Sequence, residues 1–194
     1  MNFKEQTYSV LIVSASEKLN SSLMELLPDF KYYPIIVTTN ANMAKRALSE
    51  REYDFILVNS PLPDSDGIRF AIDATSSNHC VVSILVRGEI YDSLFEKVSS
   101  HGIYLISKPT SKQVITTALD WMATTRERLR KLENKTLSLE DKMAEIRIVN
   151  RAKWLLISEL KMTETDAHRY IEKQAMDRCI SKKEIAEEII KVYA

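Results

Sequence analysis

The sequence predicts an α/β fold, a doubly wound five-stranded parallel sheet, joined to a region that is almost wholly helical. Two observations carry this reading. All three glycines and all five prolines lie before residue 110, and residues 110 to 194 hold neither. These residues are the strongest breakers of regular structure, so their joint disappearance marks a change of architecture. Before that boundary, short continuous apolar runs alternate with helix-period stretches, as expected of strands buried on both faces of a parallel sheet.

The elements follow in order. YSVLIV over 8–13 is rich in β-branched residues and reads as the first strand. Leu19, Leu23, Leu26 and Leu27 then fall at helical spacing within 17–27. PIIVT at 34–38 is the second strand, followed by a helix over 41–50. FILV at 55–58, VVSILV at 81–86 and IYLI at 103–106 are the third to fifth strands, with helices over 68–75 and 93–99 between them. Five such units give a flavodoxin-like sheet, in which chemistry gathers at the carboxyl ends of the strands.

From Ile115 the period changes. Ile115, Ala118, Met122, Thr125, Leu129, Leu132, Thr136, Leu139, Met143 and Ile146 step by three and four in strict alternation. That is a heptad repeat, flanked by charged residues such as Arg126, Glu127, Arg130 and Glu133. It predicts a coiled-coil helix over 113–146, most simply a parallel homodimer with Met122, Leu129, Leu132, Leu139, Met143 and Ile146 in the seam. The alternative is a long amphipathic helix that packs within its own chain. After Ile146, the positions Ile148, Val149, Ala152, Leu155, Leu156 and Leu160 restore an ordinary helical core face. Thr163-x-x-Asp166 resembles a capping box and predicts a helix through about Met176. Ser181-x-x-Glu184 is a full capping box and predicts a last helix through Val192.

Composition bounds the function. Formal net charge is zero, so no global field draws the chain to nucleic acid or membrane. Cys80 and Cys179 match no metal or redox spacing, and no metal or cofactor is expected. The polar start, MNFKEQTYSV, is unlike a signal peptide, and no apolar run approaches a membrane span. A cytoplasmic protein with ordinary thiols is the expectation.

The third strand ends in Asn59, ahead of the loop SPLPDSDG, and the fifth strand leads into Ser107-Lys108-Pro109. With YSVLIV and VVSILV, these pieces make residues 7–125 resemble the receiver domain of two-component response regulators. That family places a phosphoryl group on an aspartate at the end of the third strand. An acyl phosphate needs a carboxylate nucleophile, and Mg²⁺ needs hard oxygen ligands. By position the nucleophile becomes Asn59, the acidic pair becomes Ser14 and Ala15, and the hydroxyl residue falls on or near Val86. Only Lys108 is retained, with a bland role as an amine that hydrogen-bonds Asn59 or backbone carbonyls. Asp64 and Asp66 read as turn formers beside Pro63 and Gly67. The resemblance therefore implies a pseudo-receiver that is not phosphorylated.

Residues 140–193 resemble the ANTAR domain, an RNA-binding antitermination module that follows receivers. The resemblance rests on Ala152-Lys153 with Leu155-Leu156, on Met162-Thr163-Glu164 with Ala167, on Ala175-Met176-Asp177, and on Ile185-Ala186 before Ile189-Ile190. Two departures stand out: Trp154 where the family commonly has glycine, and Glu172 where it often has arginine. From residue 126 onward there are sixteen basic and thirteen acidic residues, a modest basic lean. Arg147, Asn150, Arg151, Trp154 and Ser158 fall on the helix face opposite the apolar one. Two guanidinium groups beside an indole suit phosphate and an unpaired base, and the same spacing also suits a solvated face with Trp154 packed on a neighbouring helix. His168, Arg169 and Lys173 line the next helix with Arg178 just beyond, and Asp166 and Asp177 are placed to neutralise Arg169 and Lys173. Together with Lys153 these are the candidate RNA-binding residues.

The function so implied is antitermination: a dimer binding hairpin loops of a nascent leader RNA. The competing reading is a protein-interaction regulator, whose receiver-like domain binds a sensor or metabolic enzyme and whose helices only dimerise. Duplex-DNA binding is weaker because no glycine marks a helix-turn-helix turn. An enzyme is weakest, since no nucleophile–base pair or metal set is visible.

Overall fold

The computed structural model describes residues 7–77 and 80–193; residues 1–6 of the polar N-terminal stretch lie outside them. The chain forms two compact units, divided between Arg130 and Lys131.

The first unit alternates β1 (Tyr8–Val13), α1 (Glu17–Met24), β2 (Tyr32–Thr38), α2 (Ala41–Glu50), β3 (Phe55–Asn59), α3 (Ile68–Ser77), β4 (Val81–Arg87), a 3₁₀ turn (Gly88–Ile90), α4 (Tyr91–Ser99) and β5 (Tyr104–Lys108). All strands are parallel, in the order β2-β1-β3-β4-β5. The expected five-stranded doubly wound sheet is therefore present. Boundaries differ by a few residues. β2 begins at Tyr32 and takes in Pro34, which an edge strand tolerates because one side of its backbone has no strand partner. β5 runs two residues further, to Lys108, and α1 stops at Met24 rather than Leu27.

Strand alternation sorts the core into two layers. Leu11, Val13, Ile56, Val58, Ile84 and Val86 face Ala44, Phe70, Leu94 and Val98 of α2, α3 and α4. Val10, Ile12, Phe55 and Leu57 face Leu23 of α1 together with Ile115, Leu119 and Met122. Those last three belong to α5 (Lys112–Leu160), a single unbroken helix of 49 residues.

This packing corrects part of the expected dimer seam. Met122 is 1% exposed in the core beneath the sheet, and Leu129 packs against the same cluster. The heptad that starts at Ile115 serves the chain's own sheet up to Leu129. Leu132, Leu139, Met143 and Ile146 are instead exposed, at 51–58%.

The second unit holds the rest of α5 with α6 (Glu164–Arg178) and α7 (Lys182–Tyr193). Its core is Ala152 and Leu156 of α5, Ala167, Ile171 and Ala175 of α6, and Ile185, Ala186 and Ile189 of α7. Both expected caps form. Thr163 Oγ1 accepts from Asp166 N, and Ser181 and Glu184 cap each other reciprocally. With no glycine to hand, Lys161 (φ 55°) after α5 and Cys179 (φ 52°) after α6 adopt the left-handed conformation. Among the described residues no helix is long and apolar enough to cross a membrane.

Candidate functional site

β1 lies between β2 and β3, so the strand order reverses beside it, and a crevice is expected at the carboxyl ends of β1 and β3. Ser14 follows β1 and Asn59 ends β3. Asn59 Nδ2 donates to Ser14 Oγ at 3.1 Å, and Ser14 Oγ also accepts from Ser16 N at 3.2 Å. On the other side, Lys108 Nζ donates to Asn59 Oδ1 at 2.7 Å and to Ser60 O at 2.6 Å. Both ends of the amide are thus engaged. Burial, and then Arg87 on the neighbouring strand, hold the Lys108 ammonium below the ordinary lysine range.

These residues do not fit the Mg²⁺ that a receiver would hold. Ser14 is fully buried and committed to Asn59 and Ser16, Ala15 carries a methyl group, and Asn59 has no charge to offer. Val86 is a fully buried core residue with no hydroxyl. Among the described residues no group of three or more His, Cys, Asp or Glu is placed to hold a metal ion. Asp66 serves its own turn by accepting from Ile68 N. Asp64 does more than expected: its carboxylate accepts from Ala41 N at 3.0 Å and Asn42 N at 3.1 Å, capping α2 across the crevice. Those amides, Ala41 first, hold it below the usual carboxylate range.

At the opposite end of the strands lies a cluster that sequence spacing did not reveal. Asp54, just before β3, accepts from Ser9 N and Ser9 Oγ, from Arg126 Nε at 2.8 Å and from Arg130 at 2.7 Å. The three charged side chains are only 12–21% exposed. Burial pushes the Asp54 acid up, yet Arg126, the Ser9 amide and Arg130 outweigh it and hold it below 3.8. Arg130 also bonds Glu127, which accepts from the Tyr8 hydroxyl. The turn of α5 at Arg126–Arg130 is thereby pinned to the start of the sheet.

In the helical unit, the expected basic residues fall into separate groups. Arg147, Arg151 and Trp154 form an exposed stripe on α5, opposite the core residues Ala152 and Leu156. Trp154 is 75% exposed, so the packed alternative does not hold within the chain. Lys153 and His168 line a groove of about 230 Å³ with Asn150 and Lys182, two residues absent from the expected set or given no role of their own in it. Acids temper this groove. Lys153 pairs with Glu164 at 3.2 Å, while His168 and Lys182 share Glu172 at 3.3 and 2.5 Å. The Lys182 bond first, then His168, hold Glu172 low.

Arg169 and Lys173 are exposed on α6. Asp166 serves the α6 cap, taking the Thr163 hydroxyl at 2.7 Å, rather than answering Arg169. Arg178 makes a two-pronged contact with Glu188 of α7 at 2.5 and 2.8 Å, which ties α6 to α7.

Comparison with known proteins agrees with both halves. Residues 137–190 match the model of the ANTAR domain family. The chain is 26% identical over 183 residues to the transcriptional regulatory protein PdtaR of Mycobacterium tuberculosis, spanning 93% of this chain and 88% of that one. The signal receiver domain of an HD domain-containing protein from Pseudomonas fluorescens Pf-5 superposes with a TM-score of 0.58 at 23% identity, covering 68% of this chain and 96% of that one. A response regulator receiver domain from Clostridium thermocellum gives 0.55 at 15% identity, covering 64% and 98%. The chain joins a fold of the receiver type to a C-terminal ANTAR domain.

Proposed function

We propose that the protein is a transcription antitermination regulator that binds hairpin loops of a nascent leader RNA as a homodimer. The observation that carries this is Trp154, 75% exposed on the outer face of the matched ANTAR segment, in one stripe with Arg147 and Arg151 that precede it on α5. An indole left in water at this cost has a use when an unpaired base stacks on it, and the two preceding guanidiniums neutralise the adjoining phosphates. The domain as a whole has little surplus charge, so affinity rests on local contacts and on two copies reading two hairpins at raised effective concentration. Nascent transcripts place this activity in the cytoplasm.

In this reading the receiver half is not phosphorylated. Its would-be nucleophile is an amide with both polar atoms engaged, next to Ser14 and Ala15. Control then comes from a partner protein or from dimerisation itself, and no enzymatic step is required.

Gel-shift titration with a two-hairpin leader RNA tests the proposal. A specific shift that is lost in Arg147→Glu with Arg151→Glu is expected. No shift above a scrambled RNA, or a shift indifferent to the double reversal, overturns it.

The second reading, a protein-interaction regulator, is favoured by Phe95 of α4 and Tyr104 of β5, which are 49% and 43% exposed. Recovery of one stoichiometric sensor or enzyme with no enriched RNA on affinity purification would support it instead.

A further inference from the structure

The groove of the helical unit is occupied by one of the chain's own acids. Glu172 Oε1 meets Lys182 Nζ at 2.5 Å and His168 Nε2 at 3.3 Å, so a single carboxylate oxygen joins the first residue of α7 to α6. All three side chains remain 39–50% exposed. Ion pairs this open to water contribute little and exchange readily. Lys182 also keeps donors to spare, since its ammonium carries three and Glu172 takes one. Lys153 is less accessible: its side chain is 16% exposed and Glu164 holds it at 3.2 Å.

Asn150 connects this groove to the exposed stripe on α5. It lies three residues after Arg147, three before Lys153 and four before Trp154, so it neighbours all of them on the helix surface. Its side chain is exposed and makes no hydrogen bond among the described residues. A strand that stacks a base on Trp154 therefore has an open path for its next phosphate, over Asn150 and into the groove.

We propose that Asn150, His168 and Lys182 form a backbone-phosphate site for the leader RNA, and that Glu172 holds this site closed as an internal substitute for the phosphate. The proposal rests on the RNA reading above and adds a regulated contact to it. A carboxylate oxygen and a phosphate oxygen make the same charge-assisted hydrogen bonds to an ammonium or an imidazole N–H. On binding, the phosphate displaces the Glu172 carboxylate, and Lys182 and His168 exchange one oxyanion for another. The exchange gains less than filling a vacant cationic site would. Glu172 thereby lowers the affinity of each copy and leaves tight binding to two copies acting together.

Gel-shift titration of the full chain with the two-hairpin leader RNA tests this. Glu187→Gln is the control, because Glu187 is an exposed acid of α7 with no ion pair among the described residues. Glu172→Gln should tighten binding roughly three- to tenfold. It should also steepen the salt dependence by about 0.7 in logarithmic slope for each phosphate gained. Glu187→Gln should do neither. With Lys182→Met and His168→Gln already in place, Glu172→Gln should gain no more than the control. Lys182→Met alone should weaken binding, since Glu172 would then face the phosphate without its cation. A gain from Glu172→Gln no larger than that of Glu187→Gln, or one that survives the loss of Lys182 and His168, overturns the proposal and leaves the RNA reading standing. If no form of the chain shifts the leader RNA, the RNA reading falls and this site with it.

Discussion

The Lys108 ammonium lies 2.7 Å from Asn59 Oδ1, in the place where a receiver would set its lysine against a phosphorylated aspartate. The contact joins the ends of β5 and β3, and Asn59 passes it on to Ser14 after β1. Three strands are tied by a chain of neutral acceptors and one cation, with no carboxylate among them.

Restoring the acid alone should not restore the chemistry. In Asn59→Asp, Lys108 gains an ion pair and the Ser14 hydroxyl can turn to donate to the new carboxylate, so the fold is kept. Ser14 and Ala15 still supply no charged oxygen for Mg²⁺. Intact-mass measurement after acetyl phosphate with Mg²⁺ should find neither the natural protein nor Asn59→Asp phosphorylated. A phosphoryl adduct on the natural chain would refute the pseudo-receiver reading.

Asp54→Asn should destabilise the sheet domain by about 2 kcal/mol in urea unfolding. Removing one partner of a fully buried ion pair costs about 3–5 kcal/mol, and Arg126 and Arg130 here keep some contact with water.

The same pair of proteins should differ in acid. The folded Asp54 acid is held below its ordinary 3.8, so the folded state releases this proton more readily than the unfolded chain. Its stabilisation is present above pH about 4 and is lost as pH falls through the lowered folded value. The gap in unfolding free energy between the natural protein and Asp54→Asn should therefore close in that acid window. A gap that widens toward low pH would contradict the assignment.

Trp154→Ala should leave the helical domain's thermal unfolding nearly unchanged, within about 0.5 kcal/mol, because the side chain is mostly in water. RNA affinity should fall by about 1–3 kcal/mol, the range for losing one base–aromatic stack. Circular dichroism and gel shift read the two effects separately, and a large loss of stability would mean that Trp154 packs after all.

Ala167→Leu should have the opposite profile. Ala152, Ala167 and Ala186 are fully buried where the three helices meet. Overpacking should cost about 1–3 kcal/mol in thermal unfolding of the helical domain.

Local chemistry decided much of this protein before any long-range contact entered. The loss of glycine and proline after Pro109 marked the architectural change, and the apolar runs at 8–13, 55–58 and 81–86 marked central strands. Thr163 and Ser181 announced α6 and α7, because a cap acts within three residues. The identities of Ser14, Ala15 and Asn59 already ruled a magnesium carboxylate set out of the crevice.

Tertiary structure decided what each pattern is used for. A heptad repeat has the same form whether it packs on its own sheet or on a second chain, so Met122 and Leu139 looked alike in sequence. Only the fold buries the first beneath β1 and β3 and leaves the second in water. Asp54 with Arg126 and Arg130, and Asp64 with the start of α2, are joined across 72, 76 and 23 residues. No periodicity reports contacts at such separations. Trp154 was balanced between packing and exposure until the bundle closed around Ala152 and Leu156, one helix face away, because the face a helix buries is chosen by its neighbours.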